Sequence, residues 1–137
     1  LEGIKRSIGI RQKQAPAFTI TKLKTLVRSL ETETATGLRN KSLLLLGFTG
    51  AFRRSELVSL SLEDLTFTDE GLIVSLGKSK TNQYGDHEEK AIYYSPEAAL
   101  CPIRTLKAWT ERLGRERGPL FVRIRKGDRL SFERLSD

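Results

Sequence analysis

The sequence has little of what several classes of protein need. Its single cysteine, Cys101, excludes an internal disulfide and is typical of a reducing compartment. No apolar run approaches the roughly 20 residues that span a bilayer, and no segment has the charged start, apolar middle and small-residue cleavage site of a signal peptide. We therefore expect a soluble, cytoplasmic protein that has no membrane partner.

Histidine and methionine are also scarce. One histidine and one cysteine cannot build a closed metal site, so we expect no bound metal. His87 lies in a polar segment rich in acidic residues and is predicted to be a surface histidine. Methionine is absent even from the first position, so Leu1 is not expected to be a natural start.

Positive charge is in excess. Lysine and arginine number 24 against 17 aspartate and glutamate residues, which gives a net charge of +7. Such a charge favours polyanions, so nucleic acid is the first partner to consider. The length of 137 residues suits one domain with one core. Residues 1–18 are basic with little apolar periodicity and are predicted to be an interdomain linker before a domain at 19–137.

Apolar spacing predicts a helical first half. Apolar residues recur at three- and four-residue intervals from residue 20 to residue 30, with Thr19 or Thr21 as N-cap, which predicts an amphipathic helix. Residues 43–48 are apolar on all sides, so a central buried helix is expected over 38–51. Residues 55–60 are predicted to form a third helix.

The second half of the chain has a different residue pattern. Segments 65–67, 72–76 and 91–94 are rich in β-forming residues and predict a small three-stranded antiparallel sheet. The connection between the last two strands is long, polar and basic at its start, and is suited to projecting from the sheet. A further helix opens at Cys101-Pro102 and carries Trp109 inward. The sequence thus predicts an α+β fold, mostly a helical bundle with a small sheet.

The end of the chain shows weaker signals. Residues 120–124 are expected to form a short strand, and a basic stretch follows it. Leu135-Ser136-Asp137 has the composition of a helix cap.

Two polar features are not required by a hydrophobic core. One is Gly50-Ala51-Phe52-Arg53-Arg54-Ser55-Glu56-Leu57, and the other is the connection that begins Gly77-Lys78-Ser79-Lys80-Thr81. With Cys101-Pro102 and Gly118-Pro119-Leu120-Phe121 following in order, they resemble the catalytic domain of the tyrosine recombinases, the phage integrase family. That domain typically carries Thr-Gly-Leu-Arg-x-Ser-Glu-Leu between two helices and then a lysine on a β-hairpin. The resemblance implies the N-terminal portion of such a domain.

The resemblance places the first catalytic arginine at Arg53, with Ala51 where the family usually has glycine. Because Gly50 precedes Arg53 by three residues rather than two, a register with Arg54 as the catalytic arginine stays open. A guanidinium suits the role because its planar fork can hold two phosphate oxygens and stabilise transition-state charge. Glu56 either forms an ordinary helical ion pair with Arg53 or supports it in the site.

The resemblance assigns Lys80 as the general acid that protonates the 5′-oxygen leaving group, with Lys78 as its competitor. A solvated basic turn is the alternative interpretation of both lysines. The candidate DNA contacts are Arg54, Lys78, Thr81, Arg11 and Lys13, and by charge also Arg123, Arg125 and Lys126.

By resemblance, the parent protein cleaves and rejoins double-stranded DNA through a covalent 3′-phosphotyrosine, without a metal, a cofactor or a small-molecule substrate. It acts as a homotetramer on paired DNA sites. The family's His-x-x-Arg pair and its tyrosine are expected beyond Asp137, so this chain alone is expected to be inactive. Two other interpretations stay open: a non-catalytic DNA-binding module or regulator with a recombinase-like scaffold, and a basic helical interaction domain with no DNA role.

Overall fold

A computed structural model of the chain describes residues 19–76 and 88–136. The predicted linker and most of the connection between the second and third strands lie outside these residues. The predictions that fall on Arg11, Lys13, Lys78, Lys80, Thr81 and His87 therefore lie outside the described residues as well.

The described residues form an α+β fold, as the sequence predicts, and no helix among them is long and apolar enough to cross a bilayer. Short 3-10 helices lie at Leu62–Asp64 and Ala98–Leu100. The main elements are α1 (Ile20–Ser29), α2 (Ala35–Gly50), α3 (Arg54–Ser59), β1 (Leu65–Phe67), β2 (Gly71–Ser75), β3 (Glu89–Tyr93), α4 (Pro102–Leu113), β4 (Val122–Arg125) and β5 (Arg129–Arg134).

Local capping residues explain where the helices begin and end. The Thr19 hydroxyl accepts a hydrogen bond from the Lys22 amide at 3.2 Å, and this bond satisfies a donor that has no partner within α1. Thr34 caps α2 in the same way. Helix α4 begins with Pro102 and ends at Gly114, whose φ of 65° closes the last turn.

The predicted three-stranded antiparallel sheet is confirmed, with the order β1-β2-β3. Leu72 lies opposite Ile92, and both are buried together with Val74, so this face of the sheet packs into the core. Apolar residues that alternate along a strand share one face, so Leu72 and Val74 both lie on the core side of β2.

Strand β5 was not predicted, and with β4 it forms a second, two-stranded sheet. Its burial follows no simple alternation, so the usual strand signal is absent. Three residues, Lys126, Gly127 and Asp128, join the paired Arg125 and Arg129, and the last two have positive φ, at 81° and 60°. A short glycine-containing segment of this kind is the sequence signal that would have predicted the hairpin.

The core is centred on α2 and α4. Trp109 of α4 is fully buried, and its indole N–H donates to the carbonyl oxygen of Leu120 at 2.8 Å. The prediction that α2 is buried on all sides is wrong in part, because Leu45 and Leu46 are fully buried whereas Phe48 is 40% exposed. Helix α2 packs mainly against α4 and makes smaller contacts with β3, α1 and α3, which leave part of its surface exposed.

The turn of the second sheet caps the N-terminus of α2. One carboxylate oxygen of Asp128 accepts from the Ala35 amide at 2.6 Å, and the other accepts from the Thr36 amide and hydroxyl, both at 3.0 Å. Arg112 lies 3.5 Å from the same carboxylate. The amides of Ala35 and Thr36 are the main reason that the pKa of Asp128 lies below its ordinary value of 3.8.

Replacing Asp128 with asparagine should therefore lower Tm by roughly 3 to 6 °C at pH 7. Because the pKa of Asp128 is lower in the folded state than in the unfolded state, its stabilisation is present above the unfolded pKa and is lost as pH falls through the folded pKa. The gap between wild type and variant should therefore close below about pH 4. Thermal unfolding followed by circular dichroism from pH 7 to pH 3 measures this gap.

Glu133→Gln is the matched control on the same hairpin, since Glu133 pairs with Arg125 at the surface. An exposed ion pair contributes little, so this variant should melt close to wild type. A Tm gap for Asp128→Asn that is the same at pH 3 and pH 7 would show that the carboxylate charge does not stabilise α2.

Candidate functional site

The candidate site lies where the chain passes from α2 to α3. Helix α2 ends at Ala51, which adopts the left-handed conformation with φ 53° and ψ 44°. Glycine adopts this conformation freely, whereas a residue with a Cβ is disfavoured by about 1 to 2 kcal/mol. Ala51 is the position at which the resemblance expects glycine, and the backbone shows why glycine suits it.

Arg53 lies just before α3 rather than inside it. Its backbone is extended, with φ −78° and ψ 155°, and α3 begins at Arg54. The third helix, predicted over 55–60, therefore begins and ends one residue earlier, and Arg53 lies just outside it. Both side chains are exposed, and the backbone that carries them differs, being extended at Arg53 and helical at Arg54.

Glu56 supports the start of α3 through the backbone. Its carboxylate accepts from the Arg53 amide at 2.8 Å, which satisfies one of the donors that a helix start leaves unpaired. The structure has no ion pair between the side chains of Arg53 and Glu56. Within residues 19–76 and 88–136, the Arg53 guanidinium has no hydrogen-bond or ion-pair partner.

Lys90 contacts the same junction, although the sequence analysis did not single it out. Its ammonium donates to the carbonyl oxygens of Gly50 at 2.8 Å and Ala51 at 3.1 Å. It also lies 4.5 Å from the centre of the Phe52 ring. Lys90 and Ile92 are two residues apart on β3 and so share a face. Because Ile92 is buried, the lysine two residues before it is expected to point to the same side of β3. This was the sequence signal that could have indicated the contact of Lys90 with the junction.

The connection that contains Lys80 leaves the sheet beside this junction. Its described ends are joined by a hydrogen bond from the Leu76 amide to the Glu88 carbonyl oxygen at 2.9 Å. Glu88 is two residues before Lys90, which contacts the end of α2. The described ends of this connection therefore lie near Lys90, which contacts the residues that lead into Arg53.

A second basic location lies around β4. Arg39, Arg123 and Arg125 line a pocket of about 360 Å³, together with Ile124, Leu135 and Ser136. Burial lowers the pKa of the Arg39 guanidinium, which donates to the Val122 carbonyl oxygen at 3.1 Å. Arg123 donates to the Ser136 hydroxyl at 3.2 Å. The pocket is thus cationic, but its guanidinium groups already have protein partners.

Two further features bear on chemistry. Among the described residues, no three histidine, cysteine, aspartate or glutamate side chains are grouped so that they could hold a metal ion. Cys101 is fully buried at the N-cap of α4, so its thiol is suited to a structural role.

The described α+β fold is compatible with part of a tyrosine recombinase catalytic domain. No family model matches the chain. A protein of Selenomonas ruminantium named "Integrase/recombinase xerD homolog" is 41% identical to it over all 137 residues. The chain spans 40% of the length of this relative. The predicted relationship to the tyrosine recombinases is confirmed.

Proposed function

We propose that the protein containing this chain is a site-specific recombinase that cuts and rejoins double-stranded DNA through a covalent 3′-phosphotyrosine. One observation carries the proposal: an exposed Arg53 guanidinium, unpaired among the described residues, is held at a fixed helix start. One described end of the connection that contains Lys80 lies two residues from Lys90, which contacts the end of α2. The identity to a protein named integrase/recombinase supports this assignment.

Each proposed role follows from the chemistry of the side chain. The tyrosine oxygen attacks phosphorus, the bond from phosphorus to the 5′-oxygen breaks, and Lys80 donates the proton that this oxygen takes up. Arg53 stabilises the charge on the phosphate oxygens in the transition state. Glu56 fixes the backbone of Arg53. A 5′-hydroxyl of another strand then attacks the phosphotyrosine, so no high-energy cofactor is consumed.

Four further basic residues and one threonine are proposed to contact phosphates. They hold DNA in place and contribute to affinity without reading its sequence. Arg54 is exposed at the first residue of α3. The proposed contacts are Arg54, Lys78, Thr81, Arg11 and Lys13.

We propose that the nucleophile belongs to another part of the protein. Tyr93 lies on β3 opposite Gly71, at the end of the strand away from the Lys80 connection. The Tyr94 hydroxyl is hydrogen-bonded to the Lys107 ammonium at 3.0 Å. Under this proposal the 137 residues alone should fail to cleave DNA, and the whole protein should cleave it as a homotetramer in the cytoplasm.

A suicide substrate tests this proposal. In such a duplex the strand that leaves after cleavage diffuses away, so the covalent protein–DNA adduct accumulates and is seen on a denaturing gel. We expect an adduct with the whole protein and none with the 137-residue chain. An adduct formed by the chain alone would contradict the proposed location of the nucleophile.

A non-catalytic DNA-binding function is the second candidate, favoured by the arginine-lined pocket and the net charge of +7. DNA affinity that falls steeply with salt, with no adduct from the whole protein, would indicate this function. Binding that is insensitive to salt would instead indicate an interaction domain with no DNA role.

A further inference from the structure

We propose that Lys90 is a positioning residue that sets the place of the Arg53 guanidinium. This inference rests on the proposed recombinase function. Lys90 is distant from Arg53 in the sequence and does not contact it. It acts on the three residues that lead into Arg53, through two carbonyl oxygens and one aromatic ring.

The Lys90 ammonium supplies the hydrogen-bond donors that the carbonyl groups at the end of α2 lack. The last carbonyl groups of a helix have no partner within it and carry partial negative charge. Lys90 donates to two consecutive carbonyl oxygens, those of Gly50 and Ala51. The Phe52 ring, 4.5 Å away, receives the same charge on its face. One side chain thus fixes Gly50, Ala51 and Phe52.

The backbone at this point needs such a restraint. Ala51 adopts a left-handed conformation that disfavours residues with a Cβ. Without the contacts that Lys90 makes, the segment between α2 and α3 would adopt this conformation less often. Arg53 is two residues further along, so a change in the Ala51 dihedral angles moves its guanidinium. A misplacement of about 1 Å in a catalytic group can lower a rate about 10²-fold.

The contacts of Lys90 also separate its role from that of Lys80. Two of the three ammonium donors are occupied by backbone carbonyls, and the side chain is half-buried. Lys90 is therefore suited to holding structure rather than to giving a proton to a leaving group.

Single-turnover cleavage by the whole protein tests the inference. We expect Lys90→Met to cleave the suicide substrate about 10²-fold more slowly than wild type, with DNA affinity within about threefold. Lys90→Arg should recover at least a tenth of the wild-type rate, because a guanidinium can donate to the same carbonyls. Because Lys90 acts through Arg53, adding Lys90→Met to Arg53→Ala should lower the rate no further.

Lys107→Met is the matched control. Lys107 also hydrogen-bonds an oxygen and lies 5.4 Å from the centre of an aromatic ring, that of Phe67, but it is on α4. Its loss should leave cleavage within about threefold of wild type, as expected for a surface substitution away from the site. Similar losses in the Lys107 and Lys90 variants would show a general effect on stability and overturn the inference.

A sulfur-substituted substrate distinguishes positioning from acid catalysis. When the leaving 5′-oxygen is replaced by sulfur, departure no longer requires a proton, so loss of the general acid is rescued. We expect this substrate to rescue Lys80→Ala but not Lys90→Met. Rescue of Lys90→Met, or its cleavage at the wild-type rate, would overturn the inference. If the wild-type protein forms no adduct, the proposed function itself fails and the inference falls with it.

Discussion

Arg53→Ala is expected to lower DNA cleavage by the whole protein by about 10³-fold, while DNA affinity falls less than about tenfold. In the proposed mechanism the guanidinium stabilises charge that develops only in the transition state, whereas DNA affinity comes from many phosphate contacts. Arg53→Lys should remain strongly impaired, since an ammonium keeps the charge but lacks the planar fork. Single-turnover adduct formation and fluorescence anisotropy measure the two quantities separately.

Arg54→Ala is the matched control, because it removes the same charge one residue away. It should retain cleavage within about tenfold and weaken binding at low salt, as expected for a phosphate contact. The opposite pattern, with Arg54→Ala inactive and Arg53→Ala active, would show that Arg54 is the catalytic arginine.

Trp109→Ala is expected to lower the free energy of unfolding by about 3 to 5 kcal/mol. Trp109 is fully buried, so truncation leaves a cavity, and it also removes the donor that satisfies the Leu120 carbonyl oxygen. Trp109→Phe keeps most of the apolar volume and loses the hydrogen bond, which should cost about 1 to 3 kcal/mol. Urea denaturation of the 137-residue chain measures these differences.

Phe132→Ala is the control for the loss of an aromatic side chain. Phe132 is 78% exposed and contacts Arg115 at the surface, so its removal should cost less than about 1 kcal/mol. A Trp109→Ala variant as stable as Phe132→Ala would mean that α4 does not pack as the structure describes.

Local patterns predicted most of the elements. The bounds of β1 match the prediction, and α1 begins after Thr19, because capping and apolar spacing act over a few residues. Strand β5 has no such pattern. It forms because it pairs with β4, to which the turn at Asp128 joins it. Prediction from apolar spacing fails where a strand is mostly exposed.

The site was predictable only in part for the same reason. Arg53 and Glu56 belong to one short motif, so their proximity could be predicted from spacing. The start of α3 at Arg54 could not, since it depends on the cap that Glu56 gives to the Arg53 amide. The contact of Lys90 with Gly50 joins residues 40 positions apart, and no local pattern indicates such a pairing.

The β4–β5 hairpin has a consequence for how the protein is made. Asp128 caps α2 across 93 residues, and Arg134 donates to the carbonyl oxygen of Val58, at the end of α3, across 76 residues. Ribosomes synthesise chains from the N-terminus, and contacts between distant residues must wait for the later partner. The helices on either side of Arg53 therefore leave the ribosome well before the hairpin that anchors them. During translation, Asp128 and Arg134 can contact the helices on either side of Arg53 only after residue 134 has emerged.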